Sequence, residues 1–156
     1  AGDKFVCNRF EDVRANALRA HRDPAQINND VTAMRLRMRN ELDRSTMIRF
    51  DLKQGHGGLV DMEFFLQARV MALANANQAV LEVQRSPEIL AVLKSIGDIN
   101  ETDADTLHAH YENLIAHSMI CSLDQRPRIA ELSDELRARC EHALKIYAEK
   151  GLNFNA

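Results

Sequence analysis

The sequence predicts an all-α domain, a single bundle of about six helices, and two observations favour this class. The chain has 156 residues with only 6 Gly and 3 Pro, so long stretches contain no helix-breaking residue. Aromatic residues make up only 5% of the chain, whereas sandwiches and barrels are built from strands rich in aromatic and β-branched residues. With 46% hydrophobic and 28% charged residues, the chain can bury a core and is not a disordered tail.

The first two helices are expected over residues 4–20 and 25–43. Pro24 separates them, because proline disfavours helical backbone in the residue before it. The apolar side of the first helix is predicted to consist of Phe5, Phe10, Val13, Ala17 and Leu18. The second helix has apolar residues at steps of three and four, which predicts one buried face. These residues are Ile27, Val31, Met34, Met38 and Leu42.

Basic residues are concentrated in the first part of the chain. The first 58 residues carry 11 basic and 8 acidic side chains, although the net charge of the whole chain is −3. Arg35, Arg37 and Arg39 alternate along the second helix and therefore scatter around it, and no aromatic side chains interleave with them. We therefore expect a solvated helix surface here and no nucleic-acid partner.

The helical pattern lapses between residues 44 and 58. Residues 47–53 alternate apolar and polar side chains, so a short strand or an ordered loop is expected, although one strand alone cannot form a sheet. Three of the six glycines fall in the segment 53–58, which we call the glycine loop. A third helix is expected over residues 59–74. Its apolar residues cover nearly every face, which is typical of a central helix buried among its neighbours.

The last three helices are predicted from the capping residues at their ends. Each begins with a hydroxyl residue that can cap the helix, and the fourth and sixth end at a glycine suited to left-handed backbone. The expected starts are Ser86, Thr102 and Ser133, and the expected ends are Gly97, Leu123 and Gly151. Asp105 follows Thr102 by three residues, which resembles a capping box. No linker or repeat divides residues 1–156, which are expected to form a single domain.

Several classes of protein are excluded by what the sequence lacks. No run of 18 apolar residues is present, so no membrane span is expected. The three cysteines, Cys7, Cys121 and Cys140, are odd in number and form no C-x-x-C pair. They are therefore expected as reduced core thiols of a cytoplasmic protein. The nucleotide-binding and nucleophile motifs Walker A, G-x-G-x-x-G and G-x-S-x-G are absent.

Two patterns that resemble metal ligands have a structural explanation. Asp103 and Asp105 have the spacing of paired metal-binding carboxylates, but they fall in the first turn of a helix, where capping explains them. His110 and His117 share a helix face, yet a rise of about 10 Å separates them, which is too far for one ion. No metal site and no catalytic residue is expected within this chain.

The glycine loop leads into the start of the third helix and is the strongest candidate for a binding site. Glycines permit close approach of the backbone, and free N–H groups at a helix start favour an anion. Asp61 falls near the third helical position, where its carboxylate can cap those same N–H groups. Glu63 and Gln67 lie four residues apart on one face, and we expect Glu63 to pair with Arg35 or Arg39. A tight turn without a functional role remains the alternative.

The residues around this loop resemble a known family signature. They are Phe50-Asp51-Leu52-Lys53, Gly57-Gly58, Asp61-Met62-Glu63-Phe64 and Gln67. Together they resemble the F-D-[IL]-K … G-G-[IL]-x-D-[IM]-E-F-x-x-Q pattern of the bifunctional glutamine synthetase adenylyltransferase/adenylyl-removing enzymes. The second helix also resembles that family's M-R-x-x-M-R stretch, and Val60-Asp61 is more similar to the adenylylating half than to the adenylyl-removing half.

The resemblance implies a helical domain excised from the C-terminal end of a larger nucleotidyltransferase. The parent enzyme would transfer AMP from ATP, with magnesium, to a tyrosine of glutamine synthetase, under control by glutamine and the PII signal protein. This domain alone would bind no cofactor. It would pack on the adjacent nucleotidyltransferase domain and complete its site. The implied nucleotide-binding edge consists of Lys53, Gly57, Gly58 and Asp61.

Two other interpretations stay open. One is a purely structural or regulatory bundle that docks PII or glutamine synthetase, in which Glu63, Gln67, Arg35 and Arg39 lock the third helix. The other is the equivalent domain of a PII uridylyltransferase. Those enzymes share the Gly-Gly-x-x-Asp core, but they usually lack the Glu and the later Gln of this sequence.

Overall fold

The structure, a computed structural model, describes residues 2–155 as a helical bundle with one small antiparallel sheet. The six helices are α1 (Lys4–Arg19), α2 (Pro24–Leu42), α3 (Leu59–Leu73), α4 (Ser86–Ser95), α5 (Glu101–Leu123) and α6 (Asp134–Glu149). The two strands are β1 (Arg49–Asp51) and β2 (Ile129–Glu131), and a short 3-10 helix covers Gln78–Leu81. The all-α class predicted from the scarcity of glycine and proline is confirmed. Within the described residues, no helix combines the length and apolarity needed to cross a membrane.

The short alternating segment after α2 forms a strand whose partner the sequence did not reveal. β1 pairs antiparallel with β2, and Phe50 lies opposite Ala130. The ladder extends beyond the strands, because the Leu52 amide donates to the Arg128 carbonyl at 3.0 Å. A strand of three residues has too few positions to show a period of two, so β2 could not be detected from the sequence. The sheet fixes the backbone that enters the glycine loop.

The buried face of α2 differs from the predicted one. Ile27 and Val31 are buried as expected, but the buried stripe continues through Arg35 and Arg39. Met34 and Leu42, predicted to be buried, are instead exposed at 43% and 46%. Steps of four residues keep one face of a helix, so the two arginines lie on the same side as the apolar residues that precede them. The expected solvated surface is therefore wrong for Arg35 and Arg39.

The predicted apolar side of α1 is largely open to solvent. Phe5, Phe10 and Val13 are exposed at 78%, 61% and 59%, and α1 has no fully buried residue. Only its later part packs on the core, through Ala15 and Leu18. The periodicity of α1 thus marks an apolar face that the described residues do not cover.

The helix ends agree with the predicted capping residues at α6 and differ at α4 and α5. Ser133 caps α6, where its hydroxyl accepts the Leu136 amide at 3.2 Å. In α5 the cap is Asn100 rather than Thr102, because the Asn100 side chain accepts the Asp103 amide at 2.9 Å. In α4 Ser86 is already helical, and its predicted capping hydrogen bond does not form.

The core is built around α3 and the end of α6. The α3 helix packs against α1, α2, α4 and α5. The Tyr147 ring stacks on Phe65 of α3 with ring centroids 4.5 Å apart, and it meets the Phe154 ring edge-on at 5.9 Å. Phe154 and Leu152, which follow the last helix, are completely buried. The segment after α6 is therefore part of the core.

Gly57 and Gly97 both have left-handed backbone, with φ of +78° and +75°, but their surroundings differ. A Cβ added at Gly57 would lie 2.8 Å from the Cα of Cys140 on α6, whereas nothing lies within 4 Å of a Cβ at Gly97. Gly97 follows α4 as predicted. The bare backbone of Gly57 is what lets the glycine loop lie directly against α6.

We predict that Gly57→Ala destabilises the chain more than Gly97→Ala. The latter introduces only the left-handed strain, about 1–2 kcal/mol. Gly57→Ala adds a clash with main-chain atoms of α6, so its total loss in the free energy of unfolding is about 3 kcal/mol or more. Urea denaturation of the two variants measures the difference, and equal losses would show that α6 yields to the new methyl group.

Candidate functional site

Asp61 is the centre of a buried group of charges that joins α2 to α3. The Arg35 Nε donates to Asp61 Oδ1 at 2.5 Å, and the terminal nitrogen of Arg39 donates to both carboxylate oxygens at 2.6 Å. Asp61 and Arg35 are completely buried and Arg39 is 4% exposed. Arg35 and Arg39 lie one helical turn apart, so both guanidinium groups reach the same carboxylate.

Two cations share one anion in this cluster, and main-chain carbonyls accept hydrogen bonds from the guanidinium groups and so stabilise the excess positive charge. Arg35 donates to the Gln54 carbonyl at 2.8 Å, and Arg39 donates to the Phe154 carbonyl. Burial lowers the pKa of Arg35, and Asp61 opposes this effect. Because a buried charge is tolerated only when it is paired and hydrogen-bonded, these carbonyls are part of the cluster.

The glycine loop is held to this cluster from both sides. The Gly57 amide donates to Asp61 Oδ2 at 2.7 Å, and Nε2 of the buried His110 on α5 lies 2.8 Å from the Gly57 carbonyl, to which it donates. Arg39 also donates to Nδ1 of His56 at 3.0 Å. Partial burial and the charge of Arg39 lower the pKa of His56, which favours the neutral ring that can accept this bond. The loop is therefore fixed in one conformation by side chains of three helices.

The first amides of α3 are satisfied inside the protein. The Leu59 amide donates to the Leu52 carbonyl at 3.0 Å, and the Val60 amide donates to the Lys53 carbonyl at 3.1 Å. Gly58 is buried, and a Cβ there would lie 2.9 Å from the Gly55 carbonyl. The expectation that free N–H groups at this helix start would hold an anion is therefore wrong for Leu59 and Val60.

The four residues of the predicted nucleotide-binding edge occupy different environments. Gly57, Gly58 and Asp61 are buried, where they serve the contacts just described. Lys53 is exposed at the start of the loop, and its amide donates to Asp51 Oδ1 at 3.0 Å. Lys53 is thus the residue of this set whose side chain is exposed to solvent.

The expected pairing of Glu63 is corrected by the structure. Glu63 and Gln67 are both exposed, and the carboxylate that meets Arg35 and Arg39 is that of Asp61. Because apolar residues cover nearly every face of α3, the sequence predicts that a carboxylate on it is buried and needs a partner. The helix instead has one exposed stripe, on which Glu63 and Gln67 lie one turn apart.

Three members of the site were missed from the sequence. Gln54 and Phe154 contribute main-chain carbonyls, which any residue type supplies, so no sequence signal marks them. No role was predicted for His110 once a shared metal with His117 was excluded, although its placement between Ala104, Leu107 and Leu114 on the buried face of α5 indicates a core position.

Cys140, which packs against Gly57, is suited to packing and not to nucleophilic chemistry. Burial raises the pKa of its thiol to about 12, and the charges of Asp61 and Glu141 act in the same direction. Such a thiol remains protonated at neutral pH and is therefore a poor nucleophile or metal ligand. Among residues 2–155, no three His, Cys, Asp or Glu side chains are grouped so as to hold a metal ion.

We predict that Asp61→Asn lowers the free energy of unfolding by about 3–5 kcal/mol, because it leaves two buried guanidinium groups without their anion. Glu63→Gln is the matched control, since it neutralises an exposed carboxylate two residues away on the same helix and is expected to change stability by about 0.5 kcal/mol or less. Thermal and urea denaturation of both variants measure this. Similar losses in the two variants would contradict the role assigned to Asp61.

We also predict that stability falls as the pH is lowered below about 6.5, partly through His110. Burial lowers the folded-state pKa of His110, the bond to Gly57 opposes this effect, and Arg139 adds to it. The unfolded chain therefore takes up the proton first, so the stabilisation is complete above the unfolded pKa and is lost as the pH falls towards the folded pKa. Protonation would also place a buried N–H at Nδ1, which has no acceptor among the described residues.

The measurement is the slope of unfolding free energy against pH between 7.5 and 5. In His110→Gln, whose amide can still donate to the Gly57 carbonyl, the slope should be smaller by up to about 1.4 kcal/mol per pH unit. His117→Gln removes an exposed histidine of the same helix and should leave the slope unchanged. An unchanged slope in His110→Gln would show that other groups account for the acid sensitivity.

Comparison with known proteins identifies the family. Residues 25–120, which include the glycine loop and most of α2 and α5, match the family model described as GlnD PII-uridylyltransferase. The chain is 40% identical over 154 residues to the bifunctional glutamine synthetase adenylyltransferase/adenylyl-removing enzyme of Xanthomonas campestris pv. campestris strain B100. It is 40% identical over 140 residues to the protein of that name in Stenotrophomonas maltophilia strain K279a, and 32% identical over 157 residues to that in Hahella chejuensis.

These relatives are much longer than the chain. The alignments cover 99%, 90% and 96% of this chain, but only 16%, 15% and 16% of the three relatives. The similarity is therefore to one segment of each enzyme. The resemblance seen around Gly57, Gly58 and Asp61 is confirmed, and the chain belongs to the GlnD PII-uridylyltransferase domain family and is similar to a segment of the bifunctional glutamine synthetase adenylyltransferases.

Proposed function

We propose that this chain is a domain of an enzyme that transfers AMP from ATP to a tyrosine of glutamine synthetase, and that it completes the adjacent nucleotidyltransferase site. The observation that carries the proposal is the 40% identity to a named adenylyltransferase over 99% of the chain. ATP, magnesium, glutamine synthetase and the PII signal protein belong to the proposed parent enzyme, in the cytoplasm, and not to this domain alone.

The positions of Asp103 and Asp105 support the proposal that this domain assists a catalytic domain and does not itself carry out the transfer. Asp105 pairs with Lys94 at 3.0 Å, and the Asp103 carboxylate accepts from the Asn100 side chain at 2.7 Å. Both side chains stabilise the start of α5. The proposal therefore assigns the chemistry of AMP transfer to the catalytic domain of the parent. This domain packs against that domain and completes its site.

The exposed apolar side of α1 supports packing against another domain. Next to Phe10 a groove of about 440 Å³ opens between α1, α3 and the segment before α4, and Leu18, Val70 and Ile89 line it. Exposed aromatic side chains beside an apolar groove are typical of an interface. In the proposal, this face of α1 and the groove beside it hold the domain against its neighbour.

The exposed amine of Lys53 supports contact with the nucleotide. Its backbone is fixed, since its amide binds the Asp51 carboxylate and its carbonyl accepts from the Val60 amide. The buried Asp61 cluster holds the rest of the loop, so Lys53 lies on a rigid support. A cation carried on a rigid backbone can stabilise the charge on a phosphate as it is transferred.

We predict that Lys53→Ala in the full-length adenylyltransferase that carries this domain lowers kcat/KM for ATP by roughly tenfold or more, as expected for the loss of one charge-assisted hydrogen bond. Lys145→Ala, which removes an exposed lysine of α6, is the control. Incorporation of labelled AMP into glutamine synthetase is the assay. Kinetics equal to those of the control would exclude the proposed contact of Lys53.

The same assay tests whether the catalytic residues lie in the adjacent domain, as proposed. The 156-residue chain alone is expected to incorporate no labelled AMP, because the proposal assigns the catalytic carboxylates to the adjacent domain. Incorporation by this chain alone would contradict the proposal that it only completes the site.

A further inference from the structure

Three cationic side chains from three separate segments line one surface cleft. Arg44 follows α2, Lys53 begins the glycine loop, and Arg128 precedes β2. The cleft has a volume of about 250 Å³, and all three side chains are exposed. Arg128 is far in sequence from Arg44 and Lys53, so the fold brings the three together and no basic run in the sequence marks them.

The positive charge in this cleft is only partly balanced within the described residues, because three cations share it with one carboxylate. Arg44, Lys53 and Arg128 form no ion pair among residues 2–155, whereas the nearby Arg126 pairs with Asp124 at 3.1 Å. The cleft contains one carboxylate, Asp51, which is only 8% exposed. Its Oδ1 already accepts two main-chain amides of the loop, at 3.0 and 2.9 Å. Three cations beside one carboxylate leave an excess of positive charge, and an anion placed between the cations reduces their mutual repulsion.

The backbone beside each of these cations is fixed to the same two residues, Asp51 and Leu52. Ser45, next to Arg44, accepts the Asp51 amide at 3.0 Å through its hydroxyl. The Arg128 carbonyl accepts the Leu52 amide at 3.0 Å, and the Lys53 amide binds Asp51. The three side chains therefore extend from a rigid frame, which lowers the entropic cost of bringing them onto one ligand.

We propose that Arg44, Lys53 and Arg128 together bind the phosphate chain of a nucleotide. The inference rests on the proposed function, which involves Lys53, and extends it by adding two arginines as phosphate contacts. A guanidinium group can donate two parallel hydrogen bonds to phosphate oxygens, and the ammonium group of lysine adds a compact positive charge. A cleft of this volume is smaller than the usual pocket for a whole drug-sized ligand, so it suits the phosphates and leaves the nucleoside outside.

The test is a titration of the 156-residue chain with tripolyphosphate, ATP and adenosine, followed by calorimetry and by the NMR signals of the arginine Nε–H groups. Tripolyphosphate and ATP are expected to bind with similar affinity and adenosine not to bind. Arg44→Gln and Arg128→Gln are each expected to weaken binding by about tenfold. Arg37→Gln, at an exposed arginine on α2, carries the same loss of charge outside the cleft and is expected to retain binding.

Three results would overturn the proposal. Equal weakening by Arg37→Gln and by the cleft variants would indicate attraction to overall charge. Binding of adenosine as tight as that of ATP would indicate a nucleoside site. Binding of an acidic peptide, with no binding of tripolyphosphate, would make the cleft a protein-docking surface. Circular dichroism of each variant confirms that the fold is retained, which is expected because all three side chains are exposed.

The outcome is separable from that of the proposed function. Phosphate binding by this chain needs no catalytic domain, whereas the AMP-transfer assay does. Binding that depends on Arg44 and Arg128, together with unchanged AMP transfer in Lys53→Ala, would keep the phosphate site and reject its role in the reaction. Loss of AMP transfer without phosphate binding by the chain would reject the cleft and keep the role of Lys53.

Discussion

The carboxylate of Asp61 is the contact on which the arrangement of this domain depends. It binds Arg35 and Arg39 of α2 and the Gly57 amide of the glycine loop. Through Arg39 it is linked further to the Phe154 carbonyl, beyond the last helix. One side chain therefore connects two helices, a loop and the last described segment. Loss of this anion would leave the buried guanidinium groups of Arg35 and Arg39 without a carboxylate partner.

The glycines of the loop are explained by this internal network. Gly57 lies against the main chain of α6, and Gly58 lies against carbonyls of the loop itself. Bare backbone is often taken as a sign of close approach to a ligand, and here it permits close approach to the protein's own helix. The proposed contact with the nucleotide is therefore made by exposed side chains such as Lys53, which the rigid loop supports, and not by the buried glycines.

Much of the fold could be predicted from the sequence, because helix periodicity and the glycine–proline pattern are local signals. The class, the number of helices and the cap at Ser133 followed from such signals. The partner of β1 and the placement of Phe154 depend on contacts between distant residues, which no local pattern records. The site was predicted in part: the right arginines were named, but Glu63 was chosen in place of Asp61. Burial of each carboxylate depends on which face of α3 meets α2, and that is decided by tertiary packing.

The bond between Arg39 and the Phe154 carbonyl also has a consequence for the order of folding. It closes a contact between residues that are 115 positions apart in the chain. Contacts of this separation form late in folding. Closing so long a loop costs conformational entropy before the contact adds any stability. On the ribosome, α2 and the glycine loop are complete well before Phe154 emerges, so until then Arg39 lacks one of its acceptors. The segment after α6 therefore completes the charge cluster, whose other members are synthesised long before it.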